Sequence, residues 1–322
     1  MNEIEKNLYR LNLPLPDSPI KQIICYLIRG KERSLLIDTA FNHDDCERAL
    51  MSQLDELGVK IEDTDIFITH KHIDHCGLIG RLSRPQNKIY ASVADKVLID
   101  DYQTPYHFKR ITTYLSLLGI PAQYKLHADK HVSLLMKSCR LVDITALSEG
   151  DELNVGDFRL QVIEIPGHSP GHLALWEPDK RYLFSGDHIL GDISPNITAW
   201  DLETDYLKQY IDSLKKVRAM PVRKLFPAHR AAPDDINVRI DELINLHRGR
   251  SATIMQILQD TSKPMSAFDV AILMEWSTRL PILENPPQLW FAAMETLSHL
   301  QHLRFEGRVK CTEQDEALYF SL

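Results

Sequence analysis

No stretch of this 322-residue chain approaches the roughly 20 consecutive apolar residues that crossing a bilayer requires. Its first residues, MNEIEKNLYRLNLPLP, carry acidic side chains where a secretory leader would have an apolar run, so no signal peptide is expected. Cysteine is scarce. Cys25, Cys46, Cys76, Cys139 and Cys311 are scattered, odd in number and without a CxxC pair, which excludes a disulfide framework and points to reduced thiols in the cytoplasm. Basic residues are outnumbered, 37 Lys and Arg against 45 Asp and Glu, and the net charge of −8 opposes unspecific attraction to nucleic acid or anionic membrane. What remains is an ordinary globular composition, 44% apolar and 25% charged, long enough for one large domain and a small one.

Against that background one stretch is unusual. Ile66 to Gly77 reads IFITHKHIDHCG and sets His70, His72, Asp74 and His75 within six residues, directly after an apolar, β-branched run. The run Ile66–Thr69 predicts a buried strand, and the histidines begin at its carboxyl end, where α/β folds present polar groups to ligands. In an extended segment His70, His72 and Asp74 project one way, and His75 turns back as a helix begins near Gly77. Imidazole and carboxylate are donors that zinc and iron accept, and donors aimed in two directions can serve two cations. Cys76, beside them, reads as a packing residue first and as a metal ligand second.

Taken in order, the chain opens with strands at Leu8–Leu13, Lys21–Arg29 and Arg33–Thr39, and a helix over Asp44–Leu57 that closes before Gly58. Asp38, at the end of the third strand, is placed either to support a ligand histidine or to cap the next turn. A helix over Leu78–Leu82 and a strand over Lys88–Ala91 follow. Residues 94–137 then read as a helical insertion with Tyr102, Tyr106, His107, Phe108, Tyr114, Pro121, Tyr124, His127 and His131, placed to act as a lid. Strands at Cys139–Ile144, Glu152–Leu153 and Phe158–Ile165 deliver Pro-Gly-His168-Ser-Pro-Gly-His172. Strands at His172–Trp176 and Arg181–Phe184 deliver Ser-Gly-Asp187-His188. A helix over Glu203–Arg218 and a strand at Lys224–Pro227 then lead to Ala-His229-Arg. Four strand ends in series therefore present metal-type donors.

Residues 234–260 read as a helix. The tail is ordered as a helix near Ser266–Met274, a Pro-containing connection, a helix over Leu289–Arg304 and two short extended pieces about the Glu306-Gly307 turn. That order resembles a winged helix, yet residues 251–322 hold five basic and nine acidic residues, which disfavours DNA binding.

With HxHxDH, PGHSPGH, SGDH and PAHR in this order, the chain resembles the metallo-β-lactamase superfamily over about residues 8–250. The resemblance implies an α/β fold, a four-layer αββα sandwich with a binuclear site at one edge. It implies that His70, His72 and His168 bind a first metal, that Asp74, His75 and His229 bind a second, and that Asp187 bridges them. Asp74 and Asp187 are the expected catalytic carboxylates, and His172 and His188 are placed for a supporting or proton-donating role. The domains expected are a catalytic one, 1–250, and a winged-helix-like one, 251–322.

Members that are true β-lactamases lack the bridging aspartate, so Asp187 points to the branch of glyoxalase II-like thioesterases, lactonases and phosphodiesterases. The diiron flavoproteins carry Glu where His72 stands, and the tyrosine usual in lactonases soon after the bridging aspartate is missing at His188 and Ile189. The expected function is therefore a binuclear hydrolase of thioesters or small esters, with two divalent ions, zinc first and iron or manganese as alternatives. A phosphodiesterase or endoribonuclease on single-stranded nucleic acid is the second reading. A lactonase, a sulfur dioxygenase or a DNA-binding regulator rank below it. The expected partner is a small-molecule substrate, with nucleic acid and membrane disfavoured and a homodimer left open.

Overall fold

Strand β3 (Gln22–Ile28) is buried on both faces, and its alternate residues enter different cores. Ile24, Tyr26 and Ile28 join one apolar cluster, whereas Ile23, Cys25 and Leu27 join another. A strand with this pattern must lie between layers, because successive side chains point to opposite faces of a sheet. The computed structural model describes every residue except 103, 105, 125–141 and 278–280.

The first sheet runs β1 (Asn2–Glu5), β2 (Leu8–Pro14), β3, β4 (Ser34–Ile37), β5 (Thr64–Phe67), β6 (Ile89–Ser92) and β7 (Ile144–Leu147), in that spatial order. Its first four strands are antiparallel and the rest join in parallel. The second sheet consists of β8 (Glu152–Val155), β9 (Phe158–Glu164), β10 (Leu173–Glu177), β11 (Tyr182–Gly186) and β12 (Lys224–Pro227), with β12 parallel to β11. Between the sheets Phe67 and Tyr90 share a core with Phe184 and Phe226. The Tyr26 ring lies edge-on to Phe184 at 5.5 Å and to Phe226 at 5.4 Å, and its hydroxyl donates to Pro227 O at 2.8 Å. Each such side chain fully buried contributes about 1.5–3 kcal/mol.

The α-helices among the described residues are α1 (Asp44–Glu56), α2 (Ile73–Cys76), α3 (Ile79–Leu82), α4 (Val93–Asp101), α5 (Tyr106–Leu117), α6 (Tyr206–Arg218), α7 (Ile236–Thr261), α8 (Ala267–Ala271) and α9 (Pro286–Phe305). Cys46, Leu50 and Leu54 of α1 cover the outer face of the first sheet. Leu207 and Leu214 of α6 and Ile240 of α7 cover Ala174, Trp176 and Leu183 of the second. The layering is thus helix, sheet, sheet, helix. No helix among the described residues is long and apolar enough to cross a membrane.

Two local expectations shift. The strand expected at Ile66–Thr69 spans Thr64–Phe67, because the Thr69 amide turns away from the ladder to the Asp38 carboxylate. The helix expected near Gly77 begins at Ile73, so Asp74 stands in a helical turn rather than on an extended segment, while His75 turns back within that helix.

In the insertion, Leu115, Leu118 and Ile120 are buried with Met265, Leu318 and Phe320 of the tail, and the Phe268 amide donates to Leu118 O at 2.9 Å. Residues 115–120 of the insertion therefore pack onto the tail, whereas Ile99 and Tyr102 pack in the core of the first sheet and Tyr102 turns its ring toward Lys71. His127, His131 and the strand start at Cys139 lie outside the described residues, as do the side chains of Tyr106 and Phe108.

The tail adds a small sheet, β13 (Met265–Ser266), β15 (Ala317–Ser321) and β14 (Lys310–Gln314) in spatial order. Ser266 and Asp269 form a reciprocal cap at the start of α8, and Asn285 with Pro286 starts α9. Helix α7 runs unbroken across residues 250 and 251, where the domain division was expected. Residues 292–301 of α9 are buried without interruption. Its Leu297 and Leu300 share one apolar cluster with Leu183 and Tyr210.

Candidate metal centre

Asp38 closes β4 with a left-handed backbone, φ 61°, which turns its carboxylate toward the end of β5. There it accepts the Thr69 amide at 2.8 Å through Oδ1 and faces His75 Nδ1 at 2.8 Å through Oδ2. Of the two readings open from sequence, support of a histidine is realised, while the other oxygen takes an amide 31 positions away and does not cap the turn that follows.

The loop after β5 carries His70 and His72, and α2 carries Asp74 and His75. His168 follows β9, Asp187 follows β11, and His229 follows β12. Gly186 makes the approach of β11 possible. Its φ is +51°, and a Cβ there would stand 2.7 Å from Thr69 Oγ1 and 3.0 Å from His172 Cε1.

All seven donors converge. Ligand atoms of His70, His72 and His168 lie within 4.8 Å of one another, as do those of Asp74, His75 and His229, and those of His70, His75 and Asp187. Asp187 lies between the first two groups, with Oδ2 3.7 Å from His168 Nε2 and Oδ1 3.5 Å from His229 Nε2. His229 Nε2 is 3.3 Å from Asp74 Oδ2.

The tautomers are set from behind. His75 Nδ1 faces Asp38, His168 Nδ1 donates to Asn196 O at 2.8 Å, and His229 Nδ1 donates to Gln22 O at 3.2 Å. Each ring thereby turns Nε2 inward, and those three nitrogens together with Asp187 Oδ1 are buried without a hydrogen-bond partner. Unpaired buried polar atoms cost free energy, and rings held this way by an oxygen acceptor are typical of metal ligands. The donor set fits divalent cations such as zinc.

Electrostatics divides the donors. Burial, reinforced by neighbouring histidines, pushes His70 and His72 well below their ordinary values, and burial also lowers His168, so these rings are neutral donors. Burial opposes a proton on His75 and His229. Asp187 and the other nearby carboxylates outweigh it and raise both imidazoles. Burial would likewise raise Asp187 and Asp74, but His229 and His75 hold both carboxyls low. A group of carboxylates that attracts protons onto buried imidazoles also attracts a cation.

A family model described as the metallo-beta-lactamase superfamily matches residues 20–229. The chain belongs to that superfamily. YqjP, a probable metallo-hydrolase of Bacillus subtilis strain 168, is 25% identical over 98% of both chains. The crystal structure of a metallo-beta-lactamase family protein from Thermus thermophilus, TTHA1429, matches with a TM-score of 0.83 and 26% identity, covering 99% of each chain. An atrochrysone carboxyl ACP thioesterase of Aspergillus fumigatus is 22% identical, spanning 73% of this chain and 58% of its own. Superfamily membership and the donor set together make the chain a metal-dependent hydrolase.

Other residues named from sequence take supporting positions in this metallo-β-lactamase fold. His172 stacks on His70 at 4.7 Å and accepts the Asp187 amide at 3.3 Å. His188 is buried beside His172 and Tyr210, and burial lowers its imidazole to about 3. Cys76 stands outside the donor groups and donates to Lys71 O at 3.1 Å.

Three residues escaped sequence reasoning. Asp95 accepts the Lys71 amide at 2.8 Å, the Ser169 hydroxyl at 2.7 Å and the Gly171 amide at 2.8 Å, so one buried carboxylate ties the His70–His75 loop to the His168 loop. Its visible signal was Ser92 three residues earlier, which reads only as a helix cap. Trp200 stacks its ring under Lys71 Nζ at 3.2 Å, lies 5.6 Å from the His72 ring and donates to His168 O at 3.3 Å. Asn196, the acceptor for His168, carried no sequence signal.

Proposed function

We propose that this chain is a binuclear metal-dependent hydrolase of thioesters or small esters. His70, His72 and His168 would hold one divalent cation, Asp74, His75 and His229 the other, and Asp187 would bridge them. The observation that carries the reading is the Asp187 carboxylate, whose two oxygens face His168 and His229 across the two donor groups. When bound, such cations supply Lewis acidity and lower the pKa of water toward neutrality. The chain supplies the rest. Asp74, only partly buried, would accept a proton and orient the attacking water, while the buried rings of His75 and His229 keep it in place.

Trp200, its ring 5.6 Å from that of His72 and one face taken by Lys71, supplies an aromatic wall beside the first donor group that suits an acyl chain. The similarity to a fungal ACP thioesterase supports a thioester over a phosphodiester. The net charge of −8 also favours a substrate that is not a polyanion. Zinc is the proposed metal, and Cys25, Cys46, Cys76 and Cys311, all thiols outside any disulfide, support a reducing cytoplasmic setting.

We read the tail as a winged helix by element order, with α9 in the place of a recognition helix. Its burial over residues 292–301 argues against a DNA-binding role, since no face of that stretch is open to enter a major groove. The test is turnover of acyl thioesters against phosphodiesters by the zinc-loaded chain. Preference for the thioester is expected, and preference for the phosphodiester would overturn the assignment.

A further inference from the structure

We infer that α9 is a working part of the metal centre, with Glu295 as a positioning residue that acts through Asn196 to set the orientation of His168. The inference rests on the proposed metal centre and adds a role for the tail. His168 has its Nδ1 proton held by the main-chain oxygen of Asn196 at 2.8 Å. The Asn196 side chain is in turn fully committed. Its amide nitrogen donates to Glu295 Oε2 at 2.9 Å and to Phe291 O at 3.1 Å, both on α9, and its oxygen accepts the Thr198 hydroxyl at 2.9 Å.

Glu295 is 4% exposed, and its other oxygen pairs with Arg250 of α7. A carboxylate costs free energy to bury unless every oxygen is bonded, and here one oxygen is bonded to the loop that holds a metal-facing ring. The same loop is gripped again by the tail and α7. Arg304 donates to Leu202 O at 2.6 Å, and Arg239 donates to Leu190 O at 2.8 Å and Ile193 O at 2.9 Å. Trp200, farther along it, holds His168 O, so the loop braces that residue at ring and backbone. A ring fixed at Nδ1 has its Nε2 direction fixed as well, and loosening the acceptor lets the donor swing.

The experiment titrates Co(II) into the full-length chain and follows the visible absorption of the bound ion and its affinity by chelator competition. Glu295→Ala and Asn196→Ala are expected to weaken one of the two cations by about 10–100-fold and to alter its spectrum, leaving the other unchanged. Glu295→Gln, which keeps an oxygen acceptor for Asn196, is expected to retain the parent spectrum and affinity. Far-UV circular dichroism establishes that the variants are folded, and Asn196→Ala stands in should Glu295→Ala not fold. Parent-like spectra and affinities in both alanine variants would overturn the inference alone, as would Glu295→Gln behaving like Glu295→Ala. A parent chain that takes up no Co(II) would overturn the metal centre and this role together.

Discussion

Asp38 and His75 meet at 2.8 Å between Oδ2 and Nδ1, and the other Asp38 oxygen takes the Thr69 amide at the same distance. One carboxylate therefore aligns the end of β5 and fixes the tautomer of a buried ring. Aspartate tolerates the left-handed backbone that this requires, where a β-branched residue would not.

Asp38→Asn should keep the fold and damage the site. An amide nitrogen facing Nδ1 would donate to it, forcing the proton of His75 onto Nε2, the atom turned toward Asp74 and Asp187. Metal affinity should fall about 10–100-fold with an unchanged circular dichroism spectrum. Chelator competition measures this, and parent-like affinity would refute the role given to Asp38.

Gly186→Ala should cost about 1–3 kcal/mol and move Asp187, since the new Cβ would both adopt φ +51° and press on Thr69 Oγ1 at 2.7 Å. Denaturant unfolding reads the stability, and metal content reads the displacement. A variant with parent stability and parent metal content would show that this close approach is not needed.

The proposed metal donors were legible because they are concentrated. His70, His72, Asp74 and His75 fall within six residues, and His168, Asp187 and His229 each sit in a short turn directly after a strand. The strand and helix boundaries nearest them were less so. Thr69 leaves the ladder for Asp38, a partner 31 positions away, and nothing local announces it. Asp95, Asn196 and Trp200 were hidden for the same reason. Each acts across a fold contact, and each has an innocent local reading as a cap, a loop amide or a core aromatic. The tail's two helices were legible, but its hairpin turns at Asp315-Glu316 and not about Glu306-Gly307, which only ends α9, and nothing local announces that α9 would bury its length against the second layer of helices.

His302 links tail stability to pH. Its hydrogen bond to Asp205, 2.9 Å from Nδ1 to Oδ2, raises the imidazole above its ordinary value of 6.5, with burial opposing. The folded chain thus holds this proton more tightly than the unfolded chain, and stability is gained. The gain is complete below about pH 6.5 and is lost as pH rises through the folded value. Melting temperatures of the parent and His302→Gln should therefore differ most at about pH 5.5–6.5 and converge at higher pH. A difference that does not change with pH would contradict this.

The most direct test of the account is metal content measured alongside thioester hydrolysis, for the parent and for Asp187→Ala. The parent should hold about two divalent ions per chain and lose turnover when stripped, with recovery on adding zinc. Asp187→Ala should hold fewer ions and lose more than about 100-fold in rate, beyond what a supporting residue costs. Full turnover by the stripped parent, or by Asp187→Ala, would contradict the convergence of both donor groups on Asp187.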